Sequence, residues 1–186
     1  MAHKFMNRRR LLVALLLLIP AAIGTAVVLV ACGHVIHDND KYADVMVGGK
    51  KFHLELALDQ DTRTKGLSGR TEIPADEGML FVFPNAQPLG FVMRDCPIPI
   101  DIIFLDGSGR VVATHKMTVE ADRTEEEKPL DSRGFNDKYE ERLKKYYSGF
   151  AAQYAIELKG NTLDTIKVNK NDKIELDMPI LKARCK

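Results

Sequence analysis

The sequence MLFVF at residues 79–83 is apolar on both faces, and IDIIFL at residues 100–105 is apolar except for one aspartate. Both runs are short and rich in aromatic or β-branched side chains, which favours strands buried within a sheet over helices. The sequence DGSG at residues 106–109 predicts a hairpin turn, with a return strand over residues 110–114. These strands form the centre of the predicted fold.

Further strand patterns lie on either side of these two runs. Residues 51–58 alternate, with four apolar side chains on one face, and residues 153–158 and 173–177 also have strand patterns. The polar residues 59–62 can cap a short helix. About seven short strands with few helices predict one mainly β domain over residues 48–180, a small compact barrel or sandwich with short helices.

A charged segment at residues 120–150 interrupts the strands. Its charges of both signs indicate a solvated face and a linker. Apolar side chains recur at helical spacing from Tyr139 to Phe150, which predicts an amphipathic helix near residues 136–148. We therefore expect an α+β insert in the domain. A purely structural accessory role, in which this insert docks a partner helix, is one of the possible functions.

The first 32 residues have the layout of an export signal. Four basic residues stand among the first ten, and an uncharged apolar run follows from residue 11 to Cys32. The sequence LVACG at residues 29–33 resembles a bacterial lipobox, in which Cys32 would receive the lipid. An uncleaved membrane helix is the alternative, since about 20 apolar residues can span a bilayer. In both cases residues 33–47 would form a tether, and the domain would face the periplasm or the cell exterior.

The overall charge excludes one class of partner. The 186 residues contain 27 Lys and Arg against 26 Asp and Glu, and the part from Cys32 onward has 23 basic and 26 acidic residues. A chain without a strong positive charge is not expected to bind nucleic acid. The segment HVIHDND at residues 34–40 could ligate a metal, but no further set with metal-ligand spacing follows. The sequence therefore predicts a polar tether there, with no metal site.

Asp101 is the most informative polar residue, because it lies in an otherwise apolar strand. A buried, ionised carboxylate needs a partner, and Arg63, Arg70 and Arg94 are the candidates. Together with Asp95 these residues could form the floor of a pocket for a small polar or anionic ligand, held bidentately by an arginine. The alternative is an internal ion pair that only braces the fold.

The sequence leaves open whether the protein is an enzyme. The main alternative to a binding module is a hydrolase of envelope glycan or peptide that uses Asp101 with Asp95 or Glu77 as acid and base. A Cys96 nucleophile paired with His53 or His115 is less favoured, because the neighbouring Asp95 would raise the pKa of the thiol. An oxidising compartment would also permit a disulfide between Cys96 and Cys185.

Three ordered motifs resemble those of the domain-of-unknown-function 192 family. They are RTKGLSGR at residues 63–70, GMLFVF at residues 78–83 and FVMRDCPIPID at residues 91–101, and a fourth similarity is YAIEL at residues 154–158. The resemblance extends over about residues 48–178, interrupted by the charged segment. It implies a small, mainly β fold that is often exported or membrane-tethered, with no cofactor and no established activity.

Several family positions carry different residues in this chain. The family has methionine, tryptophan, lysine, asparagine and threonine where this chain has Ser68, Val92, Arg94, Asp95 and Cys96. If these positions line a site, the resemblance implies that the site is remodelled here.

Overall fold

The computed structural model describes residues 40–132 and 134–186. The predictions for residues 1–39, which include the export signal, the lipidation of Cys32 and most of the tether, lie outside the described residues. Within the described ranges, no helix is long and apolar enough to cross a membrane.

The described residues form six strands and four short helical segments. In chain order the elements are β1 (Tyr42–Val47), β2 (Lys50–Ala57), α1 (Gln60–Lys65), β3 (Glu77–Phe91), β4 (Ile100–Leu105), β5 (Val111–Met117), α2 (Asp137–Arg142), β6 (Tyr146–Lys159), a 3-10 turn (Thr162–Asp164) and α3 (Met178–Arg184).

The strands belong to one six-stranded sheet in the order β1-β2-β3-β6-β4-β5. Strands β2 and β3 pair in parallel across the crossover that contains α1, and the other neighbours pair antiparallel. The last strand, β6, is inserted between β3 and β4. The mainly β fold class is therefore confirmed. The sheet begins earlier than the predicted domain, because residues 42–47, assigned to the tether from the sequence, form β1 and pair with β2.

The sheet is buried on both faces, which explains the apolar runs in its central strands. Leu80 and Val82 of β3 point into one cluster, which Leu181 of α3 helps to cover. Met79 and Phe81 point into the opposite cluster, which the connections on either side of β3 cover. The alternation of a strand thus sends successive apolar side chains into two separate cores.

The predicted helix over residues 136–148 is wrong at its C-terminal end. Helix α2 ends at Arg142, and Leu143 has an extended backbone with ψ of 130°. Tyr146 and Tyr147 lie in β6, where they pair with Phe91 and Gly90 of β3. Pairing with a neighbouring strand overrides the helical spacing of these aromatic residues. Hydrogen bonds to β3 satisfy their backbone N–H and C=O groups, so a helix is not needed to do so.

The predicted strand over residues 173–177 is also wrong. Lys173 forms only an isolated bridge with Arg110. Asp177 then caps α3, which begins at Met178 and has a proline in its first turn. Proline at this point favours a helix start over a longer strand, since it lacks the N–H that a central strand needs.

Candidate functional site

A short helix leads into a loop that packs against β3. Within the polar residues 59–62 that were predicted to cap a helix, Asp59 caps α1, because its carboxylate accepts a hydrogen bond from the Thr62 N–H at 2.8 Å. Gly66 ends the helix with a φ of +50°, a conformation that favours glycine. A Cβ atom at Gly66 would lie 3.3 Å from the Phe81 ring, so glycine also allows the loop to pass close to β3.

This loop covers a cavity of about 260 Å³. Aromatic side chains form much of its wall. Phe91 packs edge-on against Phe81 and Phe83, with ring centroids 5.0 and 6.4 Å apart. The polar and charged residues that also line the cavity are Gln60, Arg63, Thr64, Lys65, Ser68, Arg94, Cys96 and Glu157.

Glu157 of β6 is a buried acid in the wall of this cavity. Its side chain lies between the β3 and β4 neighbours Met79 and Ile102, and the residue is 5% exposed. No described residue donates a hydrogen bond to its carboxyl group. Burial raises the pKa of Glu157 to about 8, although the charge of Arg70 acts in the opposite direction. The acid is therefore mostly neutral at pH 7.

Glu157 was not among the site residues predicted from the sequence. Its signal is the same as that of Asp101, namely one acidic residue within an apolar strand. Strand β6 lies at the centre of the sheet, so both of its faces are covered, and the acid faces the cavity rather than the protein surface. The pattern in YAIEL at residues 154–158 therefore indicates a second buried acid only once the central position of β6 is known.

Arg94 joins the cavity to the charged insert. Its Nε and Nη2 atoms donate to the two carboxylate oxygens of Glu140 on α2, at 2.5 and 2.6 Å. Its guanidinium lies 4.6 Å from the ring of Phe135, which also lines the cavity. The insert is therefore not simply a solvated linker, because Phe135 forms part of the cavity wall and Glu140 fixes Arg94.

Arg63 also lines the cavity, but it binds backbone carbonyls. It donates to the carbonyl oxygens of Leu58 and Val82, each at 2.9 Å, and to that of Lys186 at 2.8 Å. These bonds connect α1 to the end of β2, to β3 and to the segment after α3. Most of the donors of Arg63 are thus used within the protein.

The predicted pairing of Asp101 with an arginine is wrong. Asp101 is 1% exposed, and its carboxylate accepts a hydrogen bond from the Leu163 N–H at 2.7 Å. Burial raises the pKa of Asp101, while the backbone of Leu163 and Asn161 lowers it. Among the described residues, no arginine forms an ion pair with this carboxylate. The turn after β6 supplies backbone donors close by, so the acid needs no basic side chain.

The remaining predicted site residues lie apart from one another. Arg70 pairs with Glu55 of β2 and does not line the cavity. Asp95 accepts two hydrogen bonds from Arg123, at 2.7 and 2.8 Å, and this bidentate contact lowers the pKa of Asp95. Asp95 and Arg123 line a second cavity of about 250 Å³. The five predicted residues therefore do not surround one cavity, and only Arg63 and Arg94 line the first.

The acids proposed for hydrolysis also do not converge. Asp101 is sealed against a turn, Asp95 is neutralised by Arg123, and Glu77 lines neither of the two cavities. A general acid–base pair needs two carboxyl groups facing one open cleft. The arrangement gives no support to the hydrolase alternative.

Cys96 lines both cavities, and burial raises the pKa of its thiol to about 11. Neither predicted histidine partner reaches it. His53 contacts Asp44 at 2.8 Å, and His115 contacts the carbonyl oxygen of Tyr147 at 2.8 Å. Cys96 and Cys185 are both free thiols, so the disulfide that the sequence permits is not formed.

The comparisons with known proteins identify a family but no activity. The model of the DUF192 family, described as "Uncharacterized ACR", matches residues 43–176. A comparison with curated proteins finds no match.

Two solved structures share the fold. One is a protein from Sinorhizobium meliloti 1021 named as a candidate transcription regulator; it is 22% identical, with a TM-score of 0.54, and the match covers 73% of this chain and 95% of that one. The other is a protein of unknown function from Novosphingobium aromaticivorans DSM 12444, 22% identical with a TM-score of 0.55, with 78% and 94% covered. At this identity the likeness concerns the fold alone.

Proposed function

Because this chain belongs to the DUF192 family, for which no activity is assigned, we propose a function from its own geometry: the domain is a non-catalytic module that binds a small organic molecule. The molecule occupies the cavity between α1, the end of β3 and the insert. Its apolar part contacts the phenylalanine rings, and a polar group contacts Glu157.

The carboxyl group of Glu157 carries this proposal. Buried polar groups in native proteins nearly always have hydrogen-bond partners, and a missing partner calls for an explanation. Here the unpartnered group faces a cavity, so a ligand with a complementary polar atom can supply the bond. The cavity of about 260 Å³ is slightly smaller than the usual range for small-molecule sites, about 300–1,000 Å³, which limits the ligand to a small molecule.

Binding is favoured over catalysis because the reactive groups near the cavity are held in unreactive states. Cys96 is held as a thiol by its raised pKa, and Arg94 is held by Glu140. A nucleophile needs a base within hydrogen-bond reach, and no histidine contacts Cys96 among the described residues. The hydrolase therefore remains the less favoured alternative.

The location of the module is part of the proposal and depends on the sequence. The basic and apolar segment before residue 33 and the lipobox-like LVACG at residues 29–33 favour a membrane-anchored domain facing the periplasm or the cell exterior. A small molecule is favoured over an envelope protein as the partner, because most of the apolar side chains that would form a docking face are used internally. Tyr139, Leu143 and Tyr146 are buried, and only Tyr147 and Phe150 of this set are exposed.

A fragment screen on the full-length chain tests binding at this cavity. The library contains apolar molecules with one polar group, and binding is followed by thermal shift and titration calorimetry. Val92→Trp fills the cavity with a larger side chain, and Met46→Trp is the control, since Met46 is half exposed on β1 and lines neither cavity.

We expect at least one fragment whose affinity falls tenfold or more in Val92→Trp and is unchanged in Met46→Trp. If every fragment that binds is insensitive to Val92→Trp, the proposed binding site is refuted. Chemical denaturation of both variants shows whether each one is folded, so that a loss of binding can be distinguished from a loss of folding.

A further inference from the structure

The charges around the cavity define which polar group the ligand carries. Arg63, Lys65 and Arg94 line it, and Glu140 balances only Arg94. With Glu157 neutral, the wall has an excess of positive charge. Such a wall attracts a negative or strongly polarised oxygen and repels an ammonium group.

The aromatic walls are also poorly suited to a cation. The guanidinium of Arg63 lies 5.4 Å from the centroid of the Phe83 ring, and that of Arg94 lies 4.6 Å from the centroid of Phe135. An organic cation binds best over an open aromatic face. At this cavity, guanidinium groups of the protein itself already lie against two of the aromatic rings.

The charged groups around Glu157 come from several elements. The charge of Arg70 acts on Glu157 and lowers its pKa, but the ion-pair partner of Arg70 is Glu55 on β2. From α1 and the loop after β3 come Arg63, Lys65 and Arg94, together with the thiol of Cys96. On β3 and β4, the neighbours of Glu157 in register are the apolar Met79 and Ile102.

We propose that the ligand is a small monocarboxylic acid with an apolar body, and that Glu157 binds its carboxylate as a neutral carboxylic acid. This inference rests on the proposed function of the cavity. The Glu157 O–H donates to one oxygen of the ligand carboxylate, so the two acids share one proton. No covalent bond forms or breaks, and the cations at the cavity wall compensate the single remaining negative charge.

The pH dependence of binding follows from this arrangement. Between about pH 6 and pH 7 the acid mostly carries its proton while the ligand carboxylate is ionised, so the affinity changes little with pH. Above pH 8 Glu157 must take up one proton for each ligand bound, so the affinity falls about tenfold for each further pH unit. Binding of an amine would have the opposite dependence, because it would need the ionised carboxylate.

Three probes with the same apolar body distinguish these cases: phenylacetate, phenylacetamide and phenethylamine. Their affinities for the full-length chain are measured by calorimetry at pH 7 and pH 9. We expect phenylacetate to bind at least tenfold more tightly than phenethylamine at pH 7, and to lose about tenfold in affinity by pH 9. Glu157→Gln keeps an N–H donor, so phenylacetate should still bind this variant but with no loss at pH 9.

Each other outcome overturns the inference. Tighter binding of phenethylamine, with an affinity that rises with pH, would show an amine site. Tighter binding of phenylacetamide would show a neutral ligand. In both cases the proposed binding at the cavity still holds, provided that Val92→Trp abolishes the binding of that probe. If none of the three probes binds, the ligand class is wrong, whereas the fragment screen decides separately whether the cavity binds anything.

Discussion

Replacing Glu157 with glutamine should stabilise the protein at high pH and not at low pH. The native pKa of about 8 lies above the ordinary value of 4.5 expected in the unfolded chain. Below pH 4.5 the acid is protonated in both states, and its ionisation has no effect on stability. As the pH rises from 4.5 to 8, ionisation of this acid lowers the free energy of the unfolded state but not that of the native state. The wild type therefore loses stability.

The size of this loss follows from the difference between the native and unfolded pKa values. A pKa difference of 1 corresponds to about 1.4 kcal/mol, so the wild type should lose about 3 kcal/mol between pH 5 and pH 8 through this one group. Glutamine has the same shape and does not ionise in this range. The difference in unfolding free energy between Glu157→Gln and wild type should therefore become about 3 kcal/mol more favourable to the variant over that interval.

Chemical denaturation of the full-length chain at pH 5, 6, 7 and 8 measures this difference. Comparing the variant with wild type cancels the contribution of other groups, including Asp101, whose pKa burial also raises. Glu175→Gln is the control, since the Glu175 side chain is 82% exposed. A difference that does not change between pH 5 and pH 8 would mean that Glu157 is ionised in the native state, contrary to the prediction.

Three further predictions concern groups outside this acid. Arg63→Ala should lower the unfolding free energy by about 2–4 kcal/mol in denaturant titrations, because three carbonyl groups lose a charged donor, and Arg63→Lys should lose less. Glu127→Gln should lower the melting temperature at pH 6 and progressively less toward pH 2, because Arg142 holds the native pKa of Glu127 at about 2. An equal effect of this substitution at all pH values would contradict the prediction. Under denaturing, non-reducing conditions, Cys96 and Cys185 should both react with a thiol reagent, and a mass corresponding to a bridge between them would contradict the structure.

The sequence is sufficient for the central part of the fold. Both apolar runs are strands, the turn at residues 106–109 connects β4 to β5, and one of the polar residues 59–62 caps α1. Each of these features depends on local patterns, in which side-chain alternation, turn residues and capping residues are close together in the chain.

The errors concern features that depend on distant partners. The aromatic residues after α2 have helical spacing, but their backbone pairs with β3, more than fifty residues earlier in the chain. Asp101 is buried as predicted, yet its partner is a backbone N–H in a turn about sixty residues later. A sequence pattern shows that a buried acid needs a partner, but it does not specify whether a side chain or the backbone supplies one.

The site could be predicted only in part for the same reason. Arg63 and Arg94 line the cavity, but both are bound within the protein, and the acid that faces the cavity is Glu157. Nothing in the charged insert indicates that Phe135 reaches the cavity wall, because it is a single aromatic residue in a polar segment.

The protonation state of Glu157 decides most directly whether the cavity holds a neutral acid. Carbon-13 NMR of glutamate-labelled protein follows the side-chain carboxyl resonance with pH, and Glu157→Gln identifies the signal by its loss. We expect a midpoint near pH 8. A midpoint close to 4.5, the ordinary value for glutamate, would show that the carboxyl group is solvated or paired and would contradict both the cavity site and the proposed ligand class.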